Sequence, residues 1–228
     1  MIKMPIVQDI REEFVRLYSQ GHFVIDKTGV PVVEIINAAF IANEDHIFGV
    51  PNHDYIEREL EWYKSQSRNV HDIPGSTPQI WLMVADNEGN INSNYGWCIY
   101  SEENGNQYAN VLEELKKNPF SRRAEMIYTR PNMHTDYKRG GMSDFVCTEA
   151  VQYFIRDNLL HACVKMRSND AIFGFNNDFA WQKFVQIELM ADLHATGMDN
   201  LRMGNLYWNA GSLHVYQRHF KFIEEFIE

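Results

Sequence analysis

Two alternating runs joined at Asp157-Asn158 constrain this chain more than any other stretch. In the first, Val151, Tyr153 and Ile155 point one way and Gln152, Phe154 and Arg156 the other; the second runs from Leu160 to Met166. A period of two, filled with aromatic and β-branched residues, predicts strands, and Asp-Asn predicts a turn between them. The hairpin would carry Cys147 at one end and the polar, basic cluster Arg167-Ser168-Asn169-Asp170 at the other. A thiol so placed, with guanidinium groups nearby, suits nucleophilic attack on an anionic substrate.

At 228 residues, 45% of them hydrophobic and 23% charged, the chain has globular composition and the length for one sizeable domain spanning 1–228. A net charge of −10 and a pI near 5.4 argue against general attraction to nucleic acid. An anionic ligand would therefore be small and met by a few placed cations, such as the local pairs Arg122-Arg123 and Lys138-Arg139. Three separated cysteines, Cys98, Cys147 and Cys163, make neither a disulfide framework nor a zinc spacing and suit a reducing cytoplasm. Asp9, Arg11, Glu12 and Glu13 interrupt the N-terminal apolar positions, so no signal peptide is expected. No apolar run approaches the roughly 18 residues a membrane span needs. The expectation is a soluble intracellular protein without direct nucleic-acid or membrane binding.

Along the chain, Ile6, Ile10, Phe14 and Leu17 predict a helix over 5–19. A strand follows from His22 to Asp26, then a Lys27-Thr28-Gly29 turn and a buried strand from Val30 to Ala42. Asp54 is placed to cap a helix to about Ser67 with Ile56, Leu60 and Tyr63 inward. On it, Glu57 and Glu61 read as surface charges, whereas Glu59 beside the Leu60 stripe sits at a core boundary where burial would raise its pKa. Residues 69 to 97 read as loop-rich, with Trp81 and Tyr95 as aromatic plugs. A helix through Tyr108, Val111, Leu112 and Leu115 stops at Asn118-Pro119, and a strand spans 124–129. After Phe173 a long helix to Ala195 would present Ala180, Phe184, Ile187 and Ala191 on one face, with Asp178 in a first-turn position where the helix dipole favours a carboxylate. A strand over 205–209 leads to Gly211–Tyr216 and a closing helix with Phe220, Ile223 and Phe226.

The nine histidines form no metal motif, and no Walker loop, dinucleotide fingerprint or Gly-x-Ser-x-Gly elbow occurs. The thiol remains the best nucleophile. Glu59-Leu-Glu-Trp62, Asn94-Tyr-Gly96, Asn118-Pro-x-Ser-Arg-Arg123, Cys147, Arg167-Ser-x-Asp170, Phe173-x-x-x-x-Asp178 and Gly211-x-x-His-x-Tyr216 come in an order that resembles the thymidylate synthase superfamily over nearly the whole chain. Asp26-Lys-Thr-Gly-Val30, Asp72-Ile-Pro-Gly75, Asn92-Ser-Asn-Tyr-Gly-Trp97 and Met166-Arg-Ser-Asn-Asp170 narrow the resemblance to the deoxycytidylate hydroxymethylase branch of T-even-type bacteriophages.

The resemblance implies an α/β fold, with a large mixed β-sheet flanked by helices in a single domain, used back to back in a homodimer. It implies Cys147 as nucleophile, and phosphate contacts from Lys27, Arg167 and Ser168, with Arg122 and Arg123 reaching in from the other subunit. By the same resemblance Asn169 belongs with the substrate-binding set, and His214 and Tyr216 hold the sugar hydroxyl. Trp81 and Asp170 border the folate, Tyr95 joins the hydrogen-bond network, and Glu59 moves protons. The co-substrate implied is 5,10-methylenetetrahydrofolate, with no metal, and the setting is the infected host's cytoplasm, with association into a phage nucleotide-synthesis complex possible.

Departures from the synthase inform the substrate. Asp178 replaces an asparagine that reads uracil; an ionised Asp accepts from cytosine's amino group and a protonated one donates to N3. Thr148 replaces a histidine, and Phe222–Glu228 lacks the synthase's short apolar tail. The expected reaction is hydroxymethylation of dCMP at C5. A dUMP or CMP hydroxymethylase, a methylating synthase, or a non-catalytic nucleotide-binding subunit are the alternatives.

Overall fold

A computed structural model describes residues 4–27 and 29–227; Thr28 of the expected Lys27–Gly29 turn and the terminal Glu228 lie outside them. The elements are α1 (Val7–Ser19), β1 (Val24–Ile25), β2 (Pro31–Ile41), α2 (His53–Ser65), α3 (Gln79–Val84), α4 (Tyr95–Tyr100), α5 (Gln107–Lys117), β3 (Glu125–Ile127) and α6 (Met133–Asp136). They continue with β4 (Thr148–Arg156), β5 (Leu159–Met166), β6 (Asn169–Asp170), α7 (Gly174–Ala195), β7 (Arg202–Tyr216) and α8 (Lys221–Ile227). The chain forms two compact units, one of Met1–Pro51 with Arg156–Glu228 and one of Asn52–Ile155.

The first unit is built on a mixed sheet in which β1, β2 and β7 run antiparallel in turn and β5 and β6 pair parallel with β7. The 15-residue β7 is its spine, continuing through Gly211 rather than stopping near Asn209 as the sequence suggested. The glycine is required there: a Cβ would lie 2.9 Å from the Arg167 carbonyl oxygen. Val7, Ile10 and Phe14 bury one face of α1, which packs on β2 and α8. β2 itself is not wholly buried: Val33 and Phe40 are covered, but Ile36 is 69% exposed.

Helix α7 packs on β5, β6 and β7. Its buried side chains are Phe175, Asn176, Trp181, Gln182, Val185, Gln186, Leu189 and Leu193, not the expected Ala180–Ala191 stripe. Ile187 and Ala191 face solvent because the polar Gln182 and Gln186 occupy the inward positions. The turn at Asp157-Asn158 has φ of 52° and 57°, the left-handed pair a tight hairpin turn uses.

In the second unit Asn52, not Asp54, caps α2 by accepting the Tyr55 amide at 3.1 Å. The stretch read as loop carries α3 and α4, each of six residues. β3 pairs antiparallel with β4, whose alternate residues Val151, Tyr153 and Ile155 are buried as the period of two requires. Trp62 and Tyr153 are almost fully covered, each contributing roughly 2–3 kcal/mol of apolar burial.

Candidate active site

In the second unit, Gly96 decides where Tyr95 goes. A Cβ on Gly96 would sit 1.8 Å from the Tyr63 carbonyl oxygen, so only glycine lets α4 press against the end of α2. Asn94 fastens the contact: its Oδ1 accepts the Trp97 amide at 2.8 Å, and its Nδ2 donates to the carbonyls of Trp62 (3.0 Å) and Ser67 (2.7 Å). Tyr95 is thereby stacked on Tyr63 at 5.1 Å and edge-on to Tyr128 at 5.3 Å.

One turn back on α2 is Glu59, 4% exposed. Tyr55 donates its hydroxyl to Glu59 Oε1 at 2.5 Å, and the Trp81 indole donates to the Tyr55 oxygen at 2.8 Å and to Glu59 Oε1 at 3.3 Å. Burial pushes the Glu59 carboxyl up to about 7, with donors from Tyr55, Trp81 and Tyr63 only partly offsetting it. A carboxyl in that range can take and give a proton near neutrality. Tyr55 itself is driven well above its ordinary value by burial and then by the Glu59 charge, so it stays a donor. Tyr55 was missed in the sequence, although it stands one helical turn before Glu59, the spacing at which side chains meet. Trp81 lies on α3, whose Ile80, Leu82 and Met83 are 60%, 42% and 67% exposed. That exposed apolar surface lies on the same short helix as Trp81.

Cys147 is half-buried immediately before β4. The other two thiols are poor nucleophiles: burial pushes Cys98 up to about 12 and also raises Cys163. Three residues before Cys147, the buried Asp144 accepts the amides of Asn92 and Ser93 and the Ser93 hydroxyl, each at 2.7 Å. These bonds anchor the cysteine's approach segment to the strand of chain leading into α4. Arg122 and Arg123 are exposed, and Arg123 pairs with Glu114 at 3.1 Å.

The first unit collects the remaining candidates at one end of its sheet. The parallel pairing of β6 with β7 sets Asn169 opposite Leu213 and Asp170 opposite His214. Arg167 and Ser168 precede β6, and the Arg167 carbonyl accepts the Ser212 amide at 3.1 Å. Val32 of β2 is opposite Tyr216, and Ile25 of β1 is opposite Pro31, so exposed Lys27 follows at the same sheet end. His214 and Tyr216, two apart on β7, share a face with rings 4.8 Å apart. Burial lowers the His214 pKa despite the nearby Asp170 charge, so the imidazole is neutral at pH 7. Asp170 accepts the amides of Ile172 and Phe173 at 3.2 Å each, holding the entry to α7. Asp178 therefore does not act as the cap. It lies in the second turn of α7, and its Oδ2 accepts from Asn169 Nδ2 at 2.7 Å.

Among the described residues no group of three or more His, Cys, Asp or Glu side chains could hold a metal, and no helix is long and apolar enough to cross a membrane.

Residues 16–228 match the family model described as thymidylate synthase. The chain is 55% identical to the deoxycytidylate 5-hydroxymethyltransferase of Enterobacteria phage T4 over 96% of its own length and 89% of that protein. The protein of the same name from Enterobacteria phage T6 matches with the same identity and coverage. A thymidylate synthase of Francisella philomiragia is 29% identical over 75% of this chain and 64% of its own. The solved thermostable thymidylate synthase A from Bacillus subtilis superposes with a TM-score of 0.67 at 20% identity, covering 96% of this chain and 83% of that one, a likeness of fold. By sequence and by fold, the chain belongs to the thymidylate synthase family.

Proposed function

We propose that this enzyme transfers a one-carbon unit from 5,10-methylenetetrahydrofolate to C5 of dCMP and adds water, giving 5-hydroxymethyl-dCMP and tetrahydrofolate. The observation that carries the reading is the 55% identity, nearly end to end, to deoxycytidylate 5-hydroxymethyltransferases. Asp178 gives it a chemical reason. Its carboxyl can accept from the cytosine amino group, and mispairing with uracil would leave a polar contact unmet at about 1–3 kcal/mol.

The folate, when bound, supplies the one-carbon unit as an electrophile. C5 of cytosine is too poor a nucleophile to take it unaided. The Cys147 thiolate adds to C6, breaking the C5–C6 double bond and moving its electron pair to C5. Lys27, Arg167 and Ser168 hold the phosphate, with Arg122 and Arg123 supplied by the second subunit of a homodimer, and Asn169 completes the pyrimidine pocket. His214, neutral, and Tyr216 hold the sugar hydroxyl. Trp81 and Asp170 border the folate, and Tyr95 orders the polar network. C5 then bonds to the one-carbon unit, the C5 proton and tetrahydrofolate leave, and Glu59, with its pKa near 7, positions and deprotonates the water that adds to the exocyclic methylene left behind. Departure of Cys147 restores the ring. All of this takes place within one functional domain, in the cytoplasm of an infected bacterium and in the company of other nucleotide-synthesis enzymes.

Tritium release from [5-³H]dCMP on addition of methylenetetrahydrofolate, with product mass for dCMP, CMP and dUMP in parallel, tests the proposal. Tritium release with a product 30 mass units heavier than dCMP is expected. Absence of release from dCMP, or turnover of dUMP or CMP alone, refutes it. A methylated product with dihydrofolate would point to a methylating synthase instead.

A further inference from the structure

Asn169 is 2% exposed, and its amide is used at both ends. The Trp208 indole donates Nε1–H to Asn169 Oδ1 at 3.1 Å, while Asn169 Nδ2 donates to Asp178 Oδ2 at 2.7 Å. A lone asparagine amide can turn over, exchanging donor for acceptor, because its two ends have nearly the same shape. Here that turn would set NH2 against an indole N–H, which is only ever a donor, and a carbonyl against the Asp178 carboxyl. Trp208 has no room to yield: it is 1% exposed in the centre of β7, with Phe175 of α7 edge-on at 5.0 Å.

We infer that Trp208 is a positioning residue for base specificity, acting by fixing the polarity of the Asn169 amide and so keeping Asp178 an acceptor. The inference rests on the proposed reading in which Asp178 meets the pyrimidine. With Oδ2 receiving an N–H, the carboxyl is held in the form that accepts cytosine's amino hydrogens and repels the O4 carbonyl of uracil. If the amide were free to turn, its oxygen would face Oδ2, and that contact calls for a proton on the carboxyl. With that proton committed to the Asn169 oxygen it cannot be donated to cytosine N3, and the neutral carboxyl neither repels O4 nor attracts the cytosine amino group as strongly, so discrimination against uracil weakens.

The test is the ratio of kcat/KM for dCMP to that for dUMP. Trp208→Phe removes the indole donor, and Asn169→Asp places an oxygen toward Asp178 while leaving the Trp208 acceptor and packing in place. Each should lower the ratio about tenfold, the size of one buried hydrogen bond. A purely structural role for Trp208 would depress kcat/KM for both nucleotides equally and leave the ratio alone. In an Asn169→Ala background, Trp208→Phe should cause no additional change in the ratio, because the amide through which it acts is gone. Asp178→Asn run alongside separates the two levels of the argument. If Asp178→Asn shifts the ratio but Asn169→Asp does not, the base reading stands and the lock is overturned. If Asp178→Asn also leaves the ratio unchanged, both are overturned. Should Trp208→Phe fail to fold, the Asn169→Asp result decides.

Discussion

Replacing Glu59 by glutamine should stabilise the protein at alkaline pH while abolishing the proposed water addition. The carboxyl is 4% exposed, and burial holds its folded-state pKa near 7 against an ordinary value of 4.5. The native state thus keeps the proton more tightly than the unfolded chain. Stability attached to this group is fully present below about pH 4.5, is lost as pH rises to about 7, and falls no further above that. The difference of roughly 2.5 units corresponds to about 3 kcal/mol of cost at pH 8 and about 1 kcal/mol at pH 5. Glutamine carries no charge to desolvate, and its oxygen can still accept from Tyr55 and Trp81. Urea unfolding followed by tryptophan fluorescence at pH 5 and pH 8, in matched ionic strength, measures the variant's advantage. Other titrating groups, His214 included, cancel when variant and parent are compared at each pH. The advantage should grow by about 2 kcal/mol between the two pH values while product formation is lost. A difference independent of pH would refute the account of Glu59 as a buried carboxyl that ionises near neutrality.

Cys147→Ala should bind dCMP in equilibrium dialysis yet release no tritium from C5; substantial turnover would remove covalent addition from the mechanism. Gly96→Ala forces a Cβ to 1.8 Å from the Tyr63 carbonyl and should cost more than about 3 kcal/mol in denaturant titration, or prevent folding, whereas a neutral effect would contradict the α2–α4 packing. Gln182 is fully buried with both amide atoms lacking a partner among the described residues, so Gln182→Met should raise stability by about 1–3 kcal/mol, measured by the urea midpoint at unchanged slope.

Strong, regular patterns were legible in the sequence. The alternation through Val151, Tyr153 and Ile155 and the left-handed Asp157-Asn158 turn were both there to read, because side-chain direction along a strand follows position alone. Glu59 is buried with a raised pKa as its place near the apolar stripe suggested, but the buried face of α2 is Ile56, Glu59, Trp62 and Tyr63, and the Leu60 expected to face inward is only half-buried. What failed did so where a tertiary contact overrode local pattern. Helix α7 buries Asn176, Gln182 and Gln186 along with its apolar residues, so counting hydrophobic positions selected the wrong face. Helices α3 and α4 are too short for a 3.6-residue period to register among glycines and prolines. The strand expected over 205–209 continues to Tyr216, and Gly211 within it answers to the Arg167 carbonyl of a neighbouring segment. The candidate residues came from the family resemblance, whereas the groups hydrogen-bonded around them carried no comparable signal. The contacts of Tyr55, Asp144 and Trp208 are disclosed only by the folded chain, and of these only the Tyr55–Glu59 helical spacing left a local trace.

The central claim is a transient bond from sulfur to the pyrimidine ring. Incubation with 5-fluoro-dCMP and methylenetetrahydrofolate blocks loss of the C5 substituent and should trap nucleotide and folate together on the enzyme. Peptide mass spectrometry is predicted to find both added masses on the peptide containing Cys147. That peptide unmodified, in folded protein saturated with both ligands, would contradict the account.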